Sequence, residues 1–313
     1  MKSDAVGVII VTFNRLKQLK IALQAYEEQT CKPKYMVIVN NHSTDGTSEY
    51  LTEWKDKPSE YSKYIVNLDT NMGGSGGFYE GLKRSLELDA DWIWVADDDA
   101  YPDLSAVEIA DSMIQDKIIV DDQVTAICGA VISFENIAIA HRRRIFSNLL
   151  QIHLRSVSID EYAKKYFEID LFSYVGAIIN KNALAQVGLP KKDYFICYDD
   201  TEHSMRLRKM GKILCFPSIK IIHNSRESIN DWKGYYLCRN KFDFYKTHFP
   251  KKTYLYIYFS EVLKAYWHIL TGRKVESSKI KLEAVKNAYH GKLGLHKIYR
   301  PGWKSDKDNQ RSL

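Results

Sequence analysis

The first hundred residues alternate short apolar runs with segments in which apolar residues recur at helical spacing. Continuous apolar runs indicate strands at residues 6–12, 36–39, 64–67 and 92–96. After the first run, Leu16, Leu19 and Leu23 lie on one side of a helical pattern. Strands that are apolar along their whole length are typical of a parallel sheet buried on both faces. The alternation predicts an α/β fold with a doubly wound sheet and right-handed crossovers.

A polar motif follows each of the four predicted strands. In chain order the motifs are FNR, NNHSTDGT, the glycine-rich NMGGSGG and DDD. Sheets of this class bind ligands at the carboxyl ends of their strands. We therefore expect the four motifs to converge on one edge of the sheet and to form a ligand site there.

Three consecutive carboxylates, Asp97, Asp98 and Asp99, directly follow the fourth strand. Adjacent acids at the end of a buried strand repel one another and cost free energy unless a cation or a partner neutralises them. A hard divalent ion such as Mg2+ or Mn2+ is commonly held by one or two carboxylates together with substrate phosphates. The alternative is a solvated acidic turn that caps the next helix. The motif alone favours neither interpretation.

The glycine-rich segment contains Gly73, Gly74, Gly76 and Gly77. Glycines allow backbone amides to approach a phosphate or a sugar closely, and the positive end of the following helix lies at the same place. The segment lacks the GK[ST] ending of a Walker A motif, and no GxGxxG follows the first strand. A flexible turn without a ligand remains the alternative.

The second half of the chain contains another acidic group. After a strand-like run at residues 126–131 and an apolar run at 172–179, Asp199, Asp200 and Glu202 begin a helical pattern that Gly211 ends. Capping of the helix explains one of these acids, and the adjacent pair exceeds that need. A further strand-like run at 218–222 leads to His223, a position where a lone histidine is usually a surface or satisfied residue.

Charge divides the chain into two parts. Residues 251–313 carry 14 Lys and Arg against 5 Asp and Glu, whereas residues 1–250 carry 31 against 34. We therefore predict a main domain at 1–250 and a basic, aromatic, helical extension at 251–313, with the boundary near Pro250. A hydrophobic content of 45% is ample for the core of one large domain.

The extension combines a segment dense in aromatic residues with a basic amphipathic helix pattern. Such a tail would be drawn to the anionic cytoplasmic leaflet of a membrane. The alternative is a helical appendage that packs on the main domain or forms a homo-oligomer contact. A nucleic-acid partner is not expected, because no recognised reader motif accompanies the charge.

The remaining composition bears on the compartment. The five cysteines show no CxxC pair and no metal-ligand spacing, which argues against a zinc site and for a reducing, cytoplasmic compartment. The N-terminal apolar run is too short for a signal peptide, and no stretch reaches the ~18 apolar residues of a membrane span. We expect a cytoplasmic protein that is neither secreted nor transmembrane, with peripheral binding to the inner face of the membrane as an extension of this hypothesis.

The motifs VTFNR, NNHSTDGT, NMGGSGGF and WVADDD, in this order and spacing, resemble the nucleotide-sugar-binding half of inverting GT-A fold glycosyltransferases of the family 2 type. The NxGGxGGF segment and the complete DDD are similar to those of bacterial galactofuranosyltransferases. The resemblance covers roughly residues 6–250. It implies a mixed doubly wound sheet with a nucleotide-sugar half and an acceptor half, a UDP-sugar donor, and Mn2+ or Mg2+ as cofactor.

Site residues follow from the resemblance position by position. It implies a nucleotide pocket lined by Thr12, Phe13 and Arg15, with Asn40 and Asp45 flanking the uracil and its ribose; many relatives carry Asp where this chain has Asn40. Against the diphosphate or donor sugar it implies Asn71, Gly73 and Gly74. As metal ligands it implies Asp97, Asp99 and His223, with Asp98 directed to the sugar.

In the second half the resemblance implies that Asp200 is the general base, with Asp199 as the alternative and Glu202 as an acceptor contact or supporting residue. A WxxYYxxRN segment similar to that of galactofuranosyltransferase-like chains includes Trp232 and Arg239. Two interpretations of Trp232 are equally open: its ring stacks on a sugar, or it packs its own helix. The planar fork of Arg239 suits a diphosphate.

The resulting hypothesis is a metal-dependent inverting transfer of galactofuranose from UDP-galactofuranose to a lipid-linked saccharide acceptor of a bacterial surface polysaccharide. One alternative is another donor, such as a deoxysugar nucleotide for rhamnosyl transfer. An alternative of another class is a noncatalytic nucleotide-sugar-binding scaffold subunit. The scaffold is disfavoured because it would have no need for a base at Asp200.

Overall fold

A central sheet runs through the protein in a computed structural model that describes residues 2–116, 118, 119, 123–148, 150–224 and 231–304. The strands are β1 (Val6–Thr12), β2 (Tyr35–Asn40), β3 (Ser62–Asn67), β4 (Trp92–Asp97), β5 (Tyr101–Pro102), β6 (Val124–Ser133), β7 (Asn136–Ile137), β8 (Arg142–Ser147), β9 (Ile152–Ser156), β10 (Phe167–Ile169), β11 (Leu171–Phe172), β12 (Ala177–Asn180) and β13 (Lys212–Ile222). The helices are α1 (Leu16–Glu27), α2 (Thr47–Asp56), α3 (Gly73–Leu86), α4 (Ala106–Ile114), α5 (Lys181–Val187), α6 (Asp199–Met210), α7 (Asp231–His248), α8 (Lys251–Leu270) and α9 (Val275–Tyr289).

The first four strands form the parallel half of this sheet. Their spatial order is β3, β2, β1, β4, with each neighbouring pair parallel. Each predicted strand in this half lies where its apolar run indicated, and β1 matches residue for residue. β1 and β2 are buried at every position, as expected for strands covered by helices on both faces. The carboxyl ends of β1, β2 and β4 therefore meet at one edge.

The second half makes the sheet mixed. β12 lies antiparallel between β4 and β6, and β13 is parallel to β6. The apolar run at residues 172–179 is not one strand: β11 ends at Phe172 and β12 begins at Ala177. The chain turns between them at Gly176, which has a φ of +67°. β11 pairs instead with β8, which also pairs with β9 in a separate three-stranded sheet.

Two apolar clusters cover the two faces of the central sheet. One contains Val8, Ile10 and Trp94, and the other contains Ile9, Val95 and Ile179. Successive residues of a strand point to opposite faces, so Val8 and Ile9 enter different clusters. The five cysteines, all within the described residues, form no disulfide.

The C-terminal helices pack against the rest of the chain. α9 contacts α7 and α8, and buried side chains of all three meet in one apolar cluster that includes Phe242, Tyr254 and Val285. The chain after α9 returns to α7, where the Tyr236 hydroxyl donates to the carbonyl of Tyr299 at 2.8 Å. No helix among the described residues has the length and apolarity needed to cross a membrane.

Candidate active site

A cavity of about 430 Å³ opens at the carboxyl ends of β1, β2 and β4. It is lined by Val11, Thr12, Phe13, Arg15, Asn41, Asn71, Gly73, Gly74, Asp97, Asp98, Asp99, Phe195, Ile196, His223, Trp232, Lys233 and Pro301. Parallel strands leave their following loops at the same edge, which brings together motifs that lie far apart in sequence. The predicted residues from positions 12, 13, 15, 71, 73, 74, 97–99, 223 and 232 all line this one cavity.

The acid triad, Asp97 to Asp99, is held by cationic and hydroxyl partners from β1 and the loop after it. The Thr12 hydroxyl donates to Asp98 at 2.7 Å inside the protein. Arg15 spans two acids, at 3.2 Å from Asp98 and 2.7 Å from Asp99. These contacts restrain Asp98 and Asp99 at the floor of the cavity, because an acid bridged by Arg15 has little freedom to rotate.

Electrostatics distinguishes the three acids. Burial and the charge of Asp99 raise the pKa of Asp97 to about 7. Burial raises the pKa of Asp98 to about 7 as well, with Arg15 and Thr12 acting in the opposite direction. For Asp99, burial is outweighed by the hydrogen bond to His223 and the charge of Arg15, so that its pKa falls to about 2. Two raised carboxyl pKa values indicate that added positive charge would stabilise this floor.

The donor set of the triad fits a hard divalent cation. Asp99 and His223 lie 3.4 Å apart, between Oδ1 and Nε2, and Asp97 also interacts electrostatically with both. Carboxylate oxygens and a neutral imidazole are ligands that Mn2+ accepts. Across the described part of the chain, no three His, Cys, Asp or Glu side chains are arranged as a ready metal site. The residues therefore fit a cation by their chemistry, and Arg15 contributes positive charge at the same place.

Asn41, which sequence analysis did not single out, anchors the start of the glycine-rich segment. Its side-chain amide donates to the carbonyl of Gly73 at 2.9 Å and to Asn71 at 3.2 Å, while its oxygen accepts from the backbone N–H of Met72 at 2.9 Å. Asn71 in turn accepts from the N–H of Gly73 at 2.8 Å. The only sequence signal for Asn41 is the Asn-Asn pair at the end of β2.

The glycines belong to the first turns of α3 and not to a free loop. A Cβ at Gly77 would lie 2.4 Å from Val11, and one at Gly73 would lie 1.9 Å from the carbonyl oxygen of Phe195. These glycines are therefore required for the helix to pack closely on β1 and on the segment before α6. Gly74 differs, because a Cβ there would meet nothing within 4 Å and the residue lines the cavity.

The segment that leads into α6 has a strained backbone. Phe195, Cys197 and Tyr198 all have positive φ, between 65° and 70°. Each such non-glycine residue costs free energy and persists only where its surroundings hold it. Asn240 supplies this restraint, because its side-chain amide donates to the carbonyls of Ile196 and Cys197 at 2.9 and 2.8 Å.

Arg239 takes part in the same restraint and does not line the cavity. It is 1% exposed, and its guanidinium donates to the carbonyls of Tyr194 at 3.0 Å and Gly294. Its donors are thus directed at carbonyls inside the protein, so we do not assign it to a diphosphate. Together Arg239 and Asn240 hold the strained segment that positions the acid pair.

The acid pair, Asp199 and Asp200, begins α6 beside the cavity. Asp199 is buried and Asp200 is partly exposed. Burial and the charge of Asp200 raise the pKa of Asp199 to about 8. Burial also raises the pKa of Asp200, while Arg143 and the N–H of Thr201 oppose the rise. Asp97 interacts electrostatically with Asp200, so the pair and the triad share one acidic region.

Three other predicted contacts lie away from the cavity. Asn40 is buried and donates to Ser48 and Asn67. Asp45 accepts from the N–H of Leu16 at 2.9 Å and therefore joins the starts of α1 and α2. In both cases the side chain is used by the fold: Asn40 links β2 to α2 and β3, and Asp45 satisfies a backbone N–H at the start of α1.

Glu202 is the third predicted contact that lies away from the cavity. It is 1% exposed and its carboxylate contacts Arg206 at 3.0 Å and His248 at 3.1 Å. Burial is outweighed by the His248 hydrogen bond and the Arg206 charge, which hold the pKa of Glu202 at about 2. Glu202 thus joins α6 to α7 and does not face an acceptor in this arrangement.

Sequence reasoning missed several residues of the site. Phe195, Ile196, Lys233 and Pro301 line the cavity. Pro301 comes from the C-terminal extension, which therefore contributes to the site. Arg143 donates to the Thr201 hydroxyl at 2.7 Å beside Asp200. Its signal in the sequence was the Arg-Arg-Arg run at 142–144, which carried no motif.

Curated relatives align over about two thirds of this chain and of their own length. Galactofuranosyltransferase GlfT1 from Mycolicibacterium smegmatis is 28% identical over 211 residues, which cover 67% of this chain and 67% of that protein. The dTDP-rhamnosyl transferase RfbF from Shigella flexneri is 27% identical over 219 residues, which cover 69% of this chain and 67% of that protein.

Solved structures with the same fold are glycosyltransferases. GalNAc-T7 with UDP, GalNAc and Mn2+ has a TM-score of 0.64 at 14% identity, covering 92% of this chain and 56% of that one. Staphylococcus aureus TarS 1–349 with UDP-GlcNAc has a TM-score of 0.57 at 14% identity, covering 91% and 81%. The predicted GT-A fold is thereby confirmed. The sequence also matches the family described as "Glycosyl transferase family 2" over residues 7–188, and the chain belongs to that family.

Proposed function

We propose that this protein is a metal-dependent inverting glycosyltransferase that transfers galactofuranose from UDP-galactofuranose to a lipid-linked saccharide acceptor of a bacterial surface polysaccharide. The observation that carries the proposal is the meeting of two acidic groups. The triad lines the floor of a cavity of about 430 Å³, a size usual for small-molecule sites, and the acid pair lies beside it with Asp200 partly exposed. A single-displacement transfer would use both groups: the triad would hold the cation that neutralises the leaving diphosphate, and the acid pair would deprotonate the incoming hydroxyl.

Donor binding would use the cavity wall formed by β1 and α3. Thr12, Phe13 and Arg15 line the part proposed for the nucleotide. Gly74 presents backbone without a side chain at the start of α3, where the positive end of the helix favours a diphosphate. Trp232 lines the same cavity and would contact the donor sugar there, although most of its side chain packs in a cluster with Phe195 and Tyr236 and only 8% of the residue is exposed.

Asp97, Asp99 and His223 would hold the divalent cation. Bound there, Mn2+ or Mg2+ supplies positive charge that offsets the charge developing on the leaving diphosphate. Arg15 adds positive charge at the same place, because its guanidinium lies 2.7 Å from the Asp99 carboxylate. The raised pKa values of Asp97 and Asp98 agree with a floor that requires added positive charge.

The transfer itself would be a single displacement. The acceptor hydroxyl gives its proton to the Asp200 carboxylate while its oxygen forms a bond to the anomeric carbon. The bond from that carbon to the diphosphate oxygen breaks on the opposite side, and UDP leaves with the electron pair. The configuration at the anomeric carbon is inverted, because attack and departure occur on opposite faces.

A dTDP-deoxysugar is the second candidate for the sugar donor, because the chain is 27% identical to the dTDP-rhamnosyl transferase RfbF and 28% identical to GlfT1. The distinguishing experiment measures nucleotide release from a panel of UDP- and dTDP-sugars, with Mn2+ and after exhaustive EDTA treatment. We expect nucleotide release from UDP-galactofuranose and from no other sugar of the panel, and we expect it with Mn2+ and not after EDTA treatment. Release that survives EDTA would exclude the proposed cation site.

Replacement of the base is the sharpest test of the mechanism. We expect Asp200→Asn to lower kcat by about 10²–10⁴-fold, the usual contribution of a general base. UDP affinity, measured by calorimetry, should stay close to that of the wild type, since Asp200 lies off the cavity wall. Asp193→Asn, an exposed acid in the preceding segment, is the matched control and should keep full activity. Wild-type turnover in Asp200→Asn would remove the base assignment.

A further inference from the structure

Helix α8 exposes a continuous apolar face. Six large side chains on it are at least half exposed, and three of them, Leu263, Trp267 and Leu270, are 68%, 64% and 82% exposed. We call this face the α8 stripe; it consists of Tyr256, Phe259, Leu263, Tyr266, Trp267 and Leu270. Spacings of three, four, three, one and three residues place all six on one side of an α-helix. An exposed contiguous apolar patch of this kind marks an interaction surface.

The stripe is held rigidly by the opposite side of the same helix. Tyr254 and Ala265 are buried, and Tyr258 and Val262 pack into the cluster shared with α7 and α9. The helix is therefore fixed on the protein by its own inner face. The stripe is left over from that packing, because its side chains point away from the cluster.

Positive charge borders the stripe at both ends. Lys251 and Lys252 begin the helix, and Arg273 and Lys274 follow its end, all of them exposed. The single acid within the sequence of α8, Glu261, is neutralised by Lys264 at 3.0 Å and Lys281 at 2.7 Å. The exposed face thus combines apolar and aromatic side chains with cations and presents no unpaired acid of its own.

We propose that the α8 stripe binds the surface of an anionic lipid bilayer. Tryptophan and tyrosine prefer the boundary between headgroups and acyl chains, and basic residues at the ends of the helix contact anionic headgroups. A helix that lies flat on the bilayer satisfies both sets of residues at once. This assignment concerns a surface outside the catalytic cavity and does not depend on the transfer reaction.

Charge argues against a second copy of the chain as the occupant. Two copies that pair through this face bring cationic helix ends against cationic ends in either the parallel or the antiparallel arrangement. Like charges in contact across an interface are unfavourable, whereas anionic headgroups complement both ends. The bilayer is therefore the occupant that fits the whole face.

Vesicle co-sedimentation tests the assignment with the full chain. Vesicles contain phosphatidylcholine alone or phosphatidylcholine with phosphatidylglycerol. We expect binding to the anionic vesicles that weakens with added salt. The triple variant Phe259→Ser, Leu263→Ser, Trp267→Ser should bind at least about tenfold more weakly. The matched control, Ile21→Ser, Leu104→Ser, Ile159→Ser, changes three exposed apolar residues elsewhere and should bind like the wild type.

Replacement of the basic residues at the two ends of α8 tests the proposal independently. Lys251→Gln, Lys252→Gln, Arg273→Gln, Lys274→Gln should lose binding to anionic vesicles while its circular dichroism spectrum stays that of the wild type. Equal binding by the wild type and the triple Ser variant would overturn the proposal, as would absence of binding to anionic vesicles at low salt. Light scattering would also overturn the proposal if it detected a dimer of the wild type that the triple Ser variant does not form, and if neither protein bound vesicles. The stripe would then be assigned to a second copy of the chain.

Discussion

Arg143 shows how a single residue tunes the candidate base. It donates to Thr201 at 2.7 Å, and its charge lowers the pKa of Asp200 against the effect of burial. The neighbouring Arg144 instead pairs with Glu161 at 2.9 Å. Successive residues of β8 point to opposite faces, so adjacent arginines of the same strand have different partners.

The pH profile of the enzyme should report this difference. Asp200 acts as a base only when ionised, so kcat/KM falls as pH decreases through its pKa, which burial raises above the ordinary aspartate value of about 4. Arg143→Gln removes a charge that lowers this pKa, and we expect the acidic limb to move to higher pH. Arg144→Gln is the matched control and should leave the limb in place. If the acidic limb lies at the same pH in the wild type and both variants, Arg143 does not influence the pKa of the base.

At the scale of elements, α3 and the segment before α6 fit together through glycine. Gly73 has a φ of +72° and a Cβ there would collide with the carbonyl of Phe195, whereas a Cβ at Gly74 would meet nothing and this residue lines the cavity. The same pair of adjacent glycines therefore has two different functions. One allows the packing that positions Asp199 and Asp200, and the other keeps the cavity wall free of a side chain.

Alanine substitutions should separate these two functions. Gly73→Ala places a Cβ 1.9 Å from a carbonyl oxygen in a left-handed conformation, and the backbone strain alone costs about 1–3 kcal/mol of unfolding free energy. Gly74→Ala fits without a clash, so stability should change by less than about 1 kcal/mol while the KM for the donor rises. Thermal unfolding and steady-state kinetics measure the two effects. Equal losses of stability in both variants would contradict this division.

At the scale of the whole molecule, the C-terminal extension packs against α7 and reaches the candidate site. Tyr254, Ile280 and Val285 are buried against α7, and Pro301 reaches the cavity. α7 also carries Asn240, which holds the strained segment before the acid pair. The charge boundary near Pro250 therefore marks a change of surface composition, and the contacts across it are extensive.

Removal of residues 251–313 should for this reason damage the fold. Loss of the three buried side chains from Tyr254, Ile280 and Val285 alone would cost about 4.5–9 kcal/mol, at about 1.5–3 kcal/mol for each fully buried side chain. A domain is typically stable by only about 5–15 kcal/mol, so most of the margin would be lost. Urea unfolding followed by tryptophan fluorescence measures this effect. Leu263→Ser, on the exposed side of α8, should leave the midpoint unchanged, whereas an unchanged midpoint in the truncated chain would refute the packing argument.

The sequence by itself determined the parallel strands and the place of the acid triad. Both ends of β1 were predicted correctly and the end of β4 to within one residue, because a strand buried on both faces must be apolar at successive positions. The triad was predicted at the cavity floor because parallel strands share one carboxyl edge. These properties depend on residues close together in the chain, so they are visible in its pattern.

Only the tertiary structure decided how the polar side chains are used. Arg239 and Glu202 carry the charges of binding residues, yet the fold buries both and directs them to partners inside the protein. Asn41 and Arg143, which no motif marked, hold the glycine segment and the base region. A buried polar group must find its partner wherever the folded chain brings one, and that partner is set by contacts between distant segments.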